Sequence, residues 1–588
     1  MKSFFKYLIA SILGVFIAGF LLLFVAVGMV AAMLTFSEKP AVVHENALLV
    51  MKFDHIIEER TPGGMLSELM SGIYGINRMG LDDILEAIDR AANDERIKGI
   101  FLHPDYISAG WGTAEEIRNA LQDFKESGKF VVAYGEALSQ KAYYIASVAD
   151  TLALNPAGML EFRGLSTQVT FYKNALEKLG IDMQIVRHGK FKSAVEPYML
   201  DRMSMENRQQ TATYIGGIWQ SITGAVSISR HLSVDMLNRL ADETAMFRQP
   251  EQLRRAGLVD TLLYYDQMLS MLKRLTSIQE NKDLRAIDIA DYVATLPLTD
   301  GKRLAKDKIA VIYAEGDIDM GDTPQSLSSD ELARAIRQAR RDSSIRAIVL
   351  RINSPGGSAY GAEVIWREVQ LAAAEKLLIA SMGDMAASGG YYIAAAADTI
   401  MADHTTVTGS IGIFGMIPNL SGLLGSKLGI THDVVNTNQH SDIINIYRPM
   451  NDFEKLQLQQ YVESGYEKFI TRVADGRGIT LQQADAVGQG RVWDAHSAMD
   501  NGLIDIYGGV NDAIKLAAEQ SGLSQYSIVK LPKIDDPLES WLHNLNAAAR
   551  IWILRRELGA QFPAYMQLKQ VAGFRGAMAL MPFDLNIE

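Results

Sequence analysis

Two stretches of the chain, Asp83–Leu102 (DILEAIDRAANDERIKGIFL) and Glu331–Leu350 (ELARAIRQARRDSSIRAIVL), decide the fold because they are copies of one pattern. Seven positions are identical, and the apolar positions agree almost throughout. The match continues without a gap to Tyr143-Tyr-Ile-Ala against Tyr391-Tyr-Ile-Ala, an offset of 248 residues (391 − 143 = 248). A later match, KLGI at 178–181 and 427–430, has an offset of 249 (427 − 178 = 249). Two long copies with few insertions predict two similar domains.

The two copies differ where chemistry would be expected. The second copy has Ser388 where the first has Gln140, and it has Gly356-Gly357 where the first has Ser108-Ala109. The second copy therefore carries groups suited to catalysis, and the first copy lacks them.

Both copies alternate apolar strands with amphipathic helices, which predicts βαβ units with parallel strands and an α/β fold in each domain. The predicted strands are 47–53, 99–102 and 130–134 in the first copy and 309–313, 347–352 and 377–381 in the second, and the predicted helices include 81–93, 332–341 and 391–397.

We place the first domain at 45–300, with a helical bridge over 203–259 and a helical or linker stretch over 275–298. The second domain is placed at 301–535 and a tail at 536–588. Within the tail, 548–558 is amphipathic and predicts either an ordinary packed helix or a helix that docks on a partner or a membrane.

The N-terminus, residues 1–36, predicts a signal anchor. After Lys2 and Lys6 the chain has no charged side chain from Tyr7 to Phe36, so a transmembrane helix over about 7–34 is expected. A cleaved signal peptide is the alternative, although Val30-Ala-Ala32 is a weak cleavage signal. Because the lysines precede the span, the positive-inside rule predicts that the remaining chain is exported. In a bacterium it would lie at the periplasmic face of the inner membrane.

The composition excludes several classes of function. A formal net charge of −12 without Lys/Arg runs argues against a nucleic-acid-binding surface. The absence of cysteine excludes thiol catalysis, cysteine-ligated metals and disulfides.

Three Gly/Ser-rich segments follow predicted strands of the second copy, at the sheet edge where α/β proteins bind ligands. Gly356-Gly357 could hold a developing oxyanion with backbone N–H groups, or form an ordinary turn. Ser388 lies at a strand-to-helix turn, where it could be a nucleophile or a helix N-cap. Ser410, in TGSIGI, could be a turn hydroxyl or could orient a catalytic base.

A serine nucleophile needs a base, and none of the ten histidines lies in a segment organised around these loops. His404, the nearest in sequence, is typical of a polar turn. Lys192, in HGKFKSAVEP, could serve if burial keeps its amine neutral, and it aligns with Ser441 of the second copy. The halves would then be complementary, one keeping the lysine and the other the serine. Lys190 and Lys141 are the other lysines that could act as the base. Alternatively, Lys190 and Lys192 are simply solvated lysines of a loop.

Taken together, the anchor, the repeat and the motifs GKFKSAVEPY, NSPGGS, GDMAASGGYYIA and TGSIGIFG resemble the bacterial signal peptide peptidase A family (protease IV), in its long two-repeat form. The resemblance implies two tandem ClpP/crotonase-like domains, no metal or organic cofactor, and a homotetramer on the periplasmic membrane face that degrades hydrophobic signal peptides. It further implies Ser388 as nucleophile, Lys192 as general base and Ser410 as a residue that orients the lysine. The N–H groups of Gly389 and of Gly356-Gly357 would form the oxyanion hole. Asp384, where glycine is expected, departs from the pattern.

Two other functions are compatible with parts of the sequence. A crotonase-type acyl-CoA enzyme would use similar glycine turns but predicts carboxylates near them and a cytoplasmic location. A membrane scaffold with two inactive halves would not require the intact Ser388 and Lys192.

Overall fold

The computed structural model describes residues 42–61, 78–296, 305–320, 327–533 and 578–581, together with residues 6, 7, 11, 13–21 and 24 near the N-terminus. The predicted anchor lies largely outside the described residues. Among the residues that are described, no helix has both the length and the apolar composition that crossing a bilayer requires.

The described chain alternates strands and helices, as the periodicity predicts. The strands are β1 (Ala47–Met51), β2 (Ile56–Glu58), β3 (Arg78–Gly80), β4 (Ile97–Leu102), β5 (Phe130–Leu138), β6 (Thr151–Leu160), β7 (Asp182–Arg187), β8 (Thr261–Leu262), β9 (Ala286–Asp288), β10 (Lys308–Glu315), β11 (Ile318–Asp319), β12 (Leu327–Ser328), β13 (Ile345–Ser354), β14 (Gly356–Ser358), β15 (Leu377–Ala387), β16 (Thr399–Ala402), β17 (Val407–Gly409), β18 (Phe414–Asn419), β19 (Val492–Asp494), β20 (Ile506–Tyr507), β21 (Ser527–Leu531) and β22 (Met578–Leu580). The α-helices are Leu81–Asn93, Trp111–Lys125, Gln140–Ala146, Lys173–Leu179, Glu196–Met199, Met205–Arg230, Val234–Asp242, Pro250–Arg255, Tyr265–Leu275, Ile289–Thr295, Ser329–Arg341, Ala359–Ala373, Gly389–Ala394, Asp452–Arg477, Leu481–Val487, Ala495–Asp500 and Val510–Gln520.

Each repeat builds its own sheet of mostly parallel strands. The first sheet has the order β8-β6-β5-β4-β1-β9, and all its pairs are parallel. The second has the order β19-β17-β15-β13-β10-β21, with β16 also paired to β15, and only its edge strand β19 is antiparallel. The equivalent central orders, β5-β4-β1 and β15-β13-β10, confirm the repeat, and the α/β prediction is confirmed.

Some predicted boundaries differ from the structure. Strand β15 runs to Ala387, six residues beyond its predicted end, and delivers the chain directly to Ser388. The helix that follows is Gly389–Ala394, shifted toward the N-terminus from its predicted position. The stretch 275–298 contains strand β9, an edge strand of the first sheet, as well as the helix Ile289–Thr295.

A third sheet combines the two repeats with the C-terminal segment. Its order is β12-β11-β14-β22-β18-β7. Strand β7 of the first repeat pairs antiparallel with β18 of the second, from Phe414 opposite Arg187 to Asn419 opposite Asp182. The pairing holds the chain that leads into the lysine motif of the first repeat against the second repeat.

Asp384, at a position where the resemblance implies a glycine, joins the repeats by capping a helix. Its carboxylate accepts hydrogen bonds from the Thr113 backbone N (2.8 Å) and Oγ1 (3.0 Å) and from Asn353 Nδ2 (3.2 Å). The helix Trp111–Lys125 begins after Gly110, which has no side chain to cap it. A Cβ built on Gly110 would lie 2.0 Å from Asp384 Cγ, so the glycine makes room for this carboxylate.

A buried ion cluster lies beside this cap. Arg351 is fully buried, and its guanidinium donates to Glu59 at 2.7 and 3.1 Å and also to Glu116. Both glutamates belong to the first repeat and Arg351 to the second. The repeats therefore meet through buried charges as well as through a shared apolar core.

Candidate active site

Ser388 lies at a sharp turn between strand β15 and the helix Gly389–Ala394. Its backbone has φ +54° and ψ −112°, a conformation that non-glycine residues rarely adopt and that is found at functional sites. The Ser388 N–H donates to Gly409 O at 2.8 Å, which helps to hold the turn. Its side chain makes no capping hydrogen bond, so the N-cap interpretation is wrong. In the first repeat Ser139 caps the equivalent helix by accepting from Ala142 N.

Lys192 reaches Ser388 from the other repeat. Its Nζ lies 2.8 Å from Ser388 Oγ and 3.0 Å from both Oγ and O of Ser410. Lys192, Ser388 and Ser410 are all fully buried. A neutral amine has one lone pair and two N–H bonds, so it can accept the Ser388 proton while donating to both Ser410 oxygens. The three contacts therefore match the two hydrogen-bond donors and one acceptor of an uncharged lysine amine.

Burial favours the uncharged form of this amine. It lowers the pKa of Lys192 well below the usual lysine value, because the ammonium form loses its hydration in the interior. Desolvation is the one cause of this shift, and no charged group among the described residues offsets it. A neutral lysine beside a serine hydroxyl can act as a general base.

The backbone of Ser410 is held in place beside the lysine. It follows strand β17, has φ +50°, and donates its backbone N–H to Arg491 O at 2.6 Å. Gly490 packs so closely on the lysine that a Cβ there would lie 2.6 Å from Lys192 Cβ. The structure therefore brings the predicted residues Ser388, Lys192 and Ser410 together.

The sequence reasoning missed Gln210, which ties the lysine loop to the second repeat. Its Nε2 donates to Phe191 O at 3.1 Å and to Ser193 Oγ at 2.7 Å, on either side of Lys192. Its Oε1 accepts from Val492 N at 3.1 Å, on the strand that pairs with β17. Gln210 lies in the helix Met205–Arg230, outside both motifs, and nothing in the sequence pattern indicates this role.

Glu196 forms a second support beneath the lysine loop. The carboxylate is fully buried and accepts from Ser204 Oγ at 2.6 Å and Asn207 Nδ2 at 2.9 Å. It makes no ion pair with either neighbouring lysine, and its nearest cation is Arg187 at 3.8 Å. The sequence does carry a signal for Glu196, because this residue lies four positions after Lys192 within the motif GKFKSAVEPY.

The glycine turn approaches the serine from strand β14. Gly356 has φ +102° and Gly357 φ +150°, and a Cβ on Gly356 would lie 2.6 Å from Gly389 N. Gly356 donates its own N–H to Ser354 Oγ at 3.2 Å. The N–H groups left to face a substrate carbonyl are therefore those of Gly357 and Gly389.

The competing bases lie elsewhere. The His404 ring is 2.7 Å from Glu115 and stacks on Tyr507. Lys141 donates to Ala109 O at 2.7 Å in the first repeat. Lys190 is exposed, with its amine over the Phe191 ring.

The position equivalent to Ser388 in the first repeat is closed by Gln140. Its Nε2 donates to Gly164 O at 3.1 Å, and its Oε1 accepts from the N–H groups of Arg163 (2.9 Å) and Gly164 (3.2 Å). The amide fills this position and offers no nucleophile.

Known proteins share these features. Residues 123–279 and 370–524 match the model of peptidase family S49, and residues 300–407 match that of Clp protease. The chain is 35% identical to Protease 4 of Salmonella typhi, over 88% of this chain and 85% of the relative. It is 32% identical to the chloroplastic serine protease SPPA of Arabidopsis thaliana, over 81% and 71%. A shorter protein of Enterococcus faecium, described as a signal peptide peptidase, is 32% identical over 36% of this chain and 61% of its own.

The two S49 matches fall on the two repeats, and the relatives match across both. These relatives are peptidases, so the acyl-CoA enzyme and scaffold alternatives lose their support. The chain belongs to peptidase family S49, in its two-repeat form with tandem Clp-protease-like α/β domains, and is a serine protease.

Proposed function

We propose that the chain is a membrane-anchored endopeptidase that degrades cleaved signal peptides and other hydrophobic peptides with Ser388 as nucleophile and Lys192 as general base. The observation that carries the dyad is the 2.8 Å contact between Lys192 Nζ and Ser388 Oγ in a fully buried setting. The two residues come from opposite repeats, so a single folded chain would complete the site.

The reaction is acyl transfer. The neutral Lys192 amine takes the Ser388 proton as Oγ attacks the peptide carbonyl, and the N–H groups of Gly357 and Gly389 stabilise the oxyanion. The lysine then gives the proton to the leaving amine, and water releases the acyl group. Ser410 keeps the amine pointed at Ser388 throughout.

The preference for hydrophobic peptides rests on the apolar side chains of strand β18. Phe414 and Met416 on that strand are buried together with Val195. Extended peptides bind such strand edges through backbone hydrogen bonds, so side-chain pockets select the sequence.

Membrane anchoring and assembly belong to the same proposal. The uncharged segment after Lys6 supports an N-terminal anchor, with the catalytic repeats on the periplasmic side of an inner membrane. A homotetramer is the assembly that the family resemblance implies.

The test is hydrolysis of a fluorogenic hydrophobic peptide by wild type, Ser388→Ala, Lys192→Met and Lys190→Met, each checked for folding. We expect the first two variants to lose activity by roughly 10³-fold or more, because members of one catalytic unit fail together. Lys190→Met is the matched control and should retain activity. Wild-type turnover by Ser388→Ala would overturn the proposal.

A further inference from the structure

Glu115, on the helix Trp111–Lys125 of the first repeat, holds a loop of the second repeat. Its Oε1 accepts from the His404 backbone N at 3.2 Å and lies 2.7 Å from the His404 ring Nδ1. Its Oε2 accepts from Thr405 N at 3.0 Å and from Thr405 Oγ1 at 2.8 Å. Four polar groups therefore meet one buried carboxylate, and all four belong to two consecutive residues of the other repeat.

The same loop is fixed to the strand that leads to the nucleophile. Thr406 and Thr408 are buried, and their hydroxyls donate to backbone carbonyls of strand β15 at 2.8 and 2.7 Å. From the first repeat, Ser221 Oγ on the helix Met205–Arg230 lies 3.1 Å from His404 O. The loop is therefore held between the first repeat and β15.

The loop continues into strand β17, which places both serines of the site. Strand β17 pairs in parallel with the end of β15. Gly409, the last residue of β17, accepts from Ser388 N at 2.8 Å. Ser410 follows directly, and its Oγ and O both lie 3.0 Å from Lys192 Nζ. A shift of the loop would therefore move Ser410 relative to the lysine.

We propose that Glu115 is a positioning residue for peptide hydrolysis, which acts through its hydrogen bonds to the loop and through β17 to hold Ser410 against Lys192. The inference rests on the proposed Ser/Lys function. It adds that the first repeat supplies the support for Ser410 as well as the base. A carboxylate that only satisfied buried hydrogen bonds would change stability alone, whereas a positioning carboxylate must also change the titration of Lys192. The pH profile of hydrolysis therefore separates the two roles.

The experiment measures hydrolysis of a fluorogenic hydrophobic peptide by the full chain across pH. Glu115→Gln keeps the shape of the side chain, but its amide NH₂ would face two of the four groups, so the loop loses part of its support. We expect kcat to fall by roughly 10–10²-fold with little change in KM, because small misplacements of catalytic groups strongly slow the chemical step. The pH midpoint of kcat/KM should also move, because the lowered pKa of Lys192 depends on its burial beside Ser410. Asp123→Asn, at an exposed position of the same helix, is the matched control and should keep the wild-type kcat and midpoint.

A double variant tests whether the effect passes through Ser410. In Glu115→Gln/Ser410→Ala, kcat should fall by less than the product of the two single effects, because both changes disturb one contact. Effects that multiply would overturn the inference, as would a Glu115→Gln variant that loses thermal stability but keeps the wild-type pH midpoint.

A milder variant keeps the test decisive if Glu115→Gln does not fold. Thr405→Val removes one hydrogen bond to Glu115 and should show the same changes in smaller measure, and unchanged kinetics there would equally overturn the inference. Ser388→Ala is measured alongside. Hydrolysis by Ser388→Ala at the wild-type rate would overturn the proposed function, whatever the Glu115 variants show.

Discussion

Lys192 Nζ and Ser388 Oγ lie 2.8 Å apart although their positions in the chain are separated by 196 residues and by the boundary between the repeats. Each repeat contributes one member of the proposed catalytic pair. The antiparallel pairing of β7 with β18 is what joins the halves, since β7 leads into the lysine loop.

The pH dependence of hydrolysis should report the Lys192 amine. Because burial lowers the pKa of Lys192, the neutral base is present at pH values where an exposed lysine would be protonated. We expect kcat/KM to rise with pH and to reach its plateau well below pH 10. A midpoint near the ordinary lysine value of about 10.4 would contradict a buried neutral base.

The burial of Lys192 should also make the free energy of unfolding depend on pH. The unfolded chain protonates Lys192 below about pH 10.4 while the folded chain does not, so the unfolded state binds more protons in that window. The free energy of unfolding of wild type, relative to Lys192→Met, should rise by about 1.4 kcal/mol per pH unit between the lowered pKa and pH 10. Lys190→Met should show no such difference in denaturant titrations.

The repeat alignment singled out Ser388 by its replacement with Gln140. No histidine lay in a segment organised around the glycine loops, and the alignment of Lys192 with Ser441 made that lysine the complementary candidate. The structure places the Lys192 and Ser388 side chains in contact. Gln210 and the role of Asp384 could not be predicted, because their contacts span 282 and 271 positions and follow no periodic pattern. Strand β22 could not be predicted from the sequence either, because a three-residue strand forms only where a partner edge already exists.

Gln210 should position the base without touching the substrate. Gln210→Leu removes the hydrogen bonds to Phe191 O and Ser193 Oγ, so the lysine loop can shift relative to Ser388. We expect kcat to fall by roughly 10–10²-fold with little change in KM, because small misplacements of a base strongly slow the chemical step. The pH midpoint should also move, as the burial of Lys192 changes.

The control for this prediction is Gln209→Leu, on the same helix but exposed. It should leave both kcat and the pH profile unchanged. A Gln210→Leu variant that loses thermal stability yet keeps the wild-type pH profile would show that Gln210 only stabilises the fold.

Asp384 should stabilise the contact between the repeats. Asp384→Ala removes the cap from the helix Trp111–Lys125 and leaves Thr113 N without its partner. Loss of such a cap costs about 0.5–2 kcal/mol, so the denaturant midpoint should fall accordingly. Asp475→Ala, at an exposed position in another helix, serves as the control, and equal midpoints for the two variants would contradict the capping role.

Asp403 should make the interface between the repeats sensitive to pH. Burial, with the nearby charges of Glu116 and Glu115, raises the pKa of Asp403 well above its usual value. The folded chain therefore keeps a proton that the unfolded chain releases above about pH 3.9, so stability falls as pH rises through the window up to the raised pKa. In Asp403→Asn that contribution disappears, and the free energy of unfolding relative to wild type should increase by about 1.4 kcal/mol per pH unit across the window. Asp475→Asn is the matched control, and parallel pH profiles for wild type and Asp403→Asn would show that Asp403 is ionised in the folded chain.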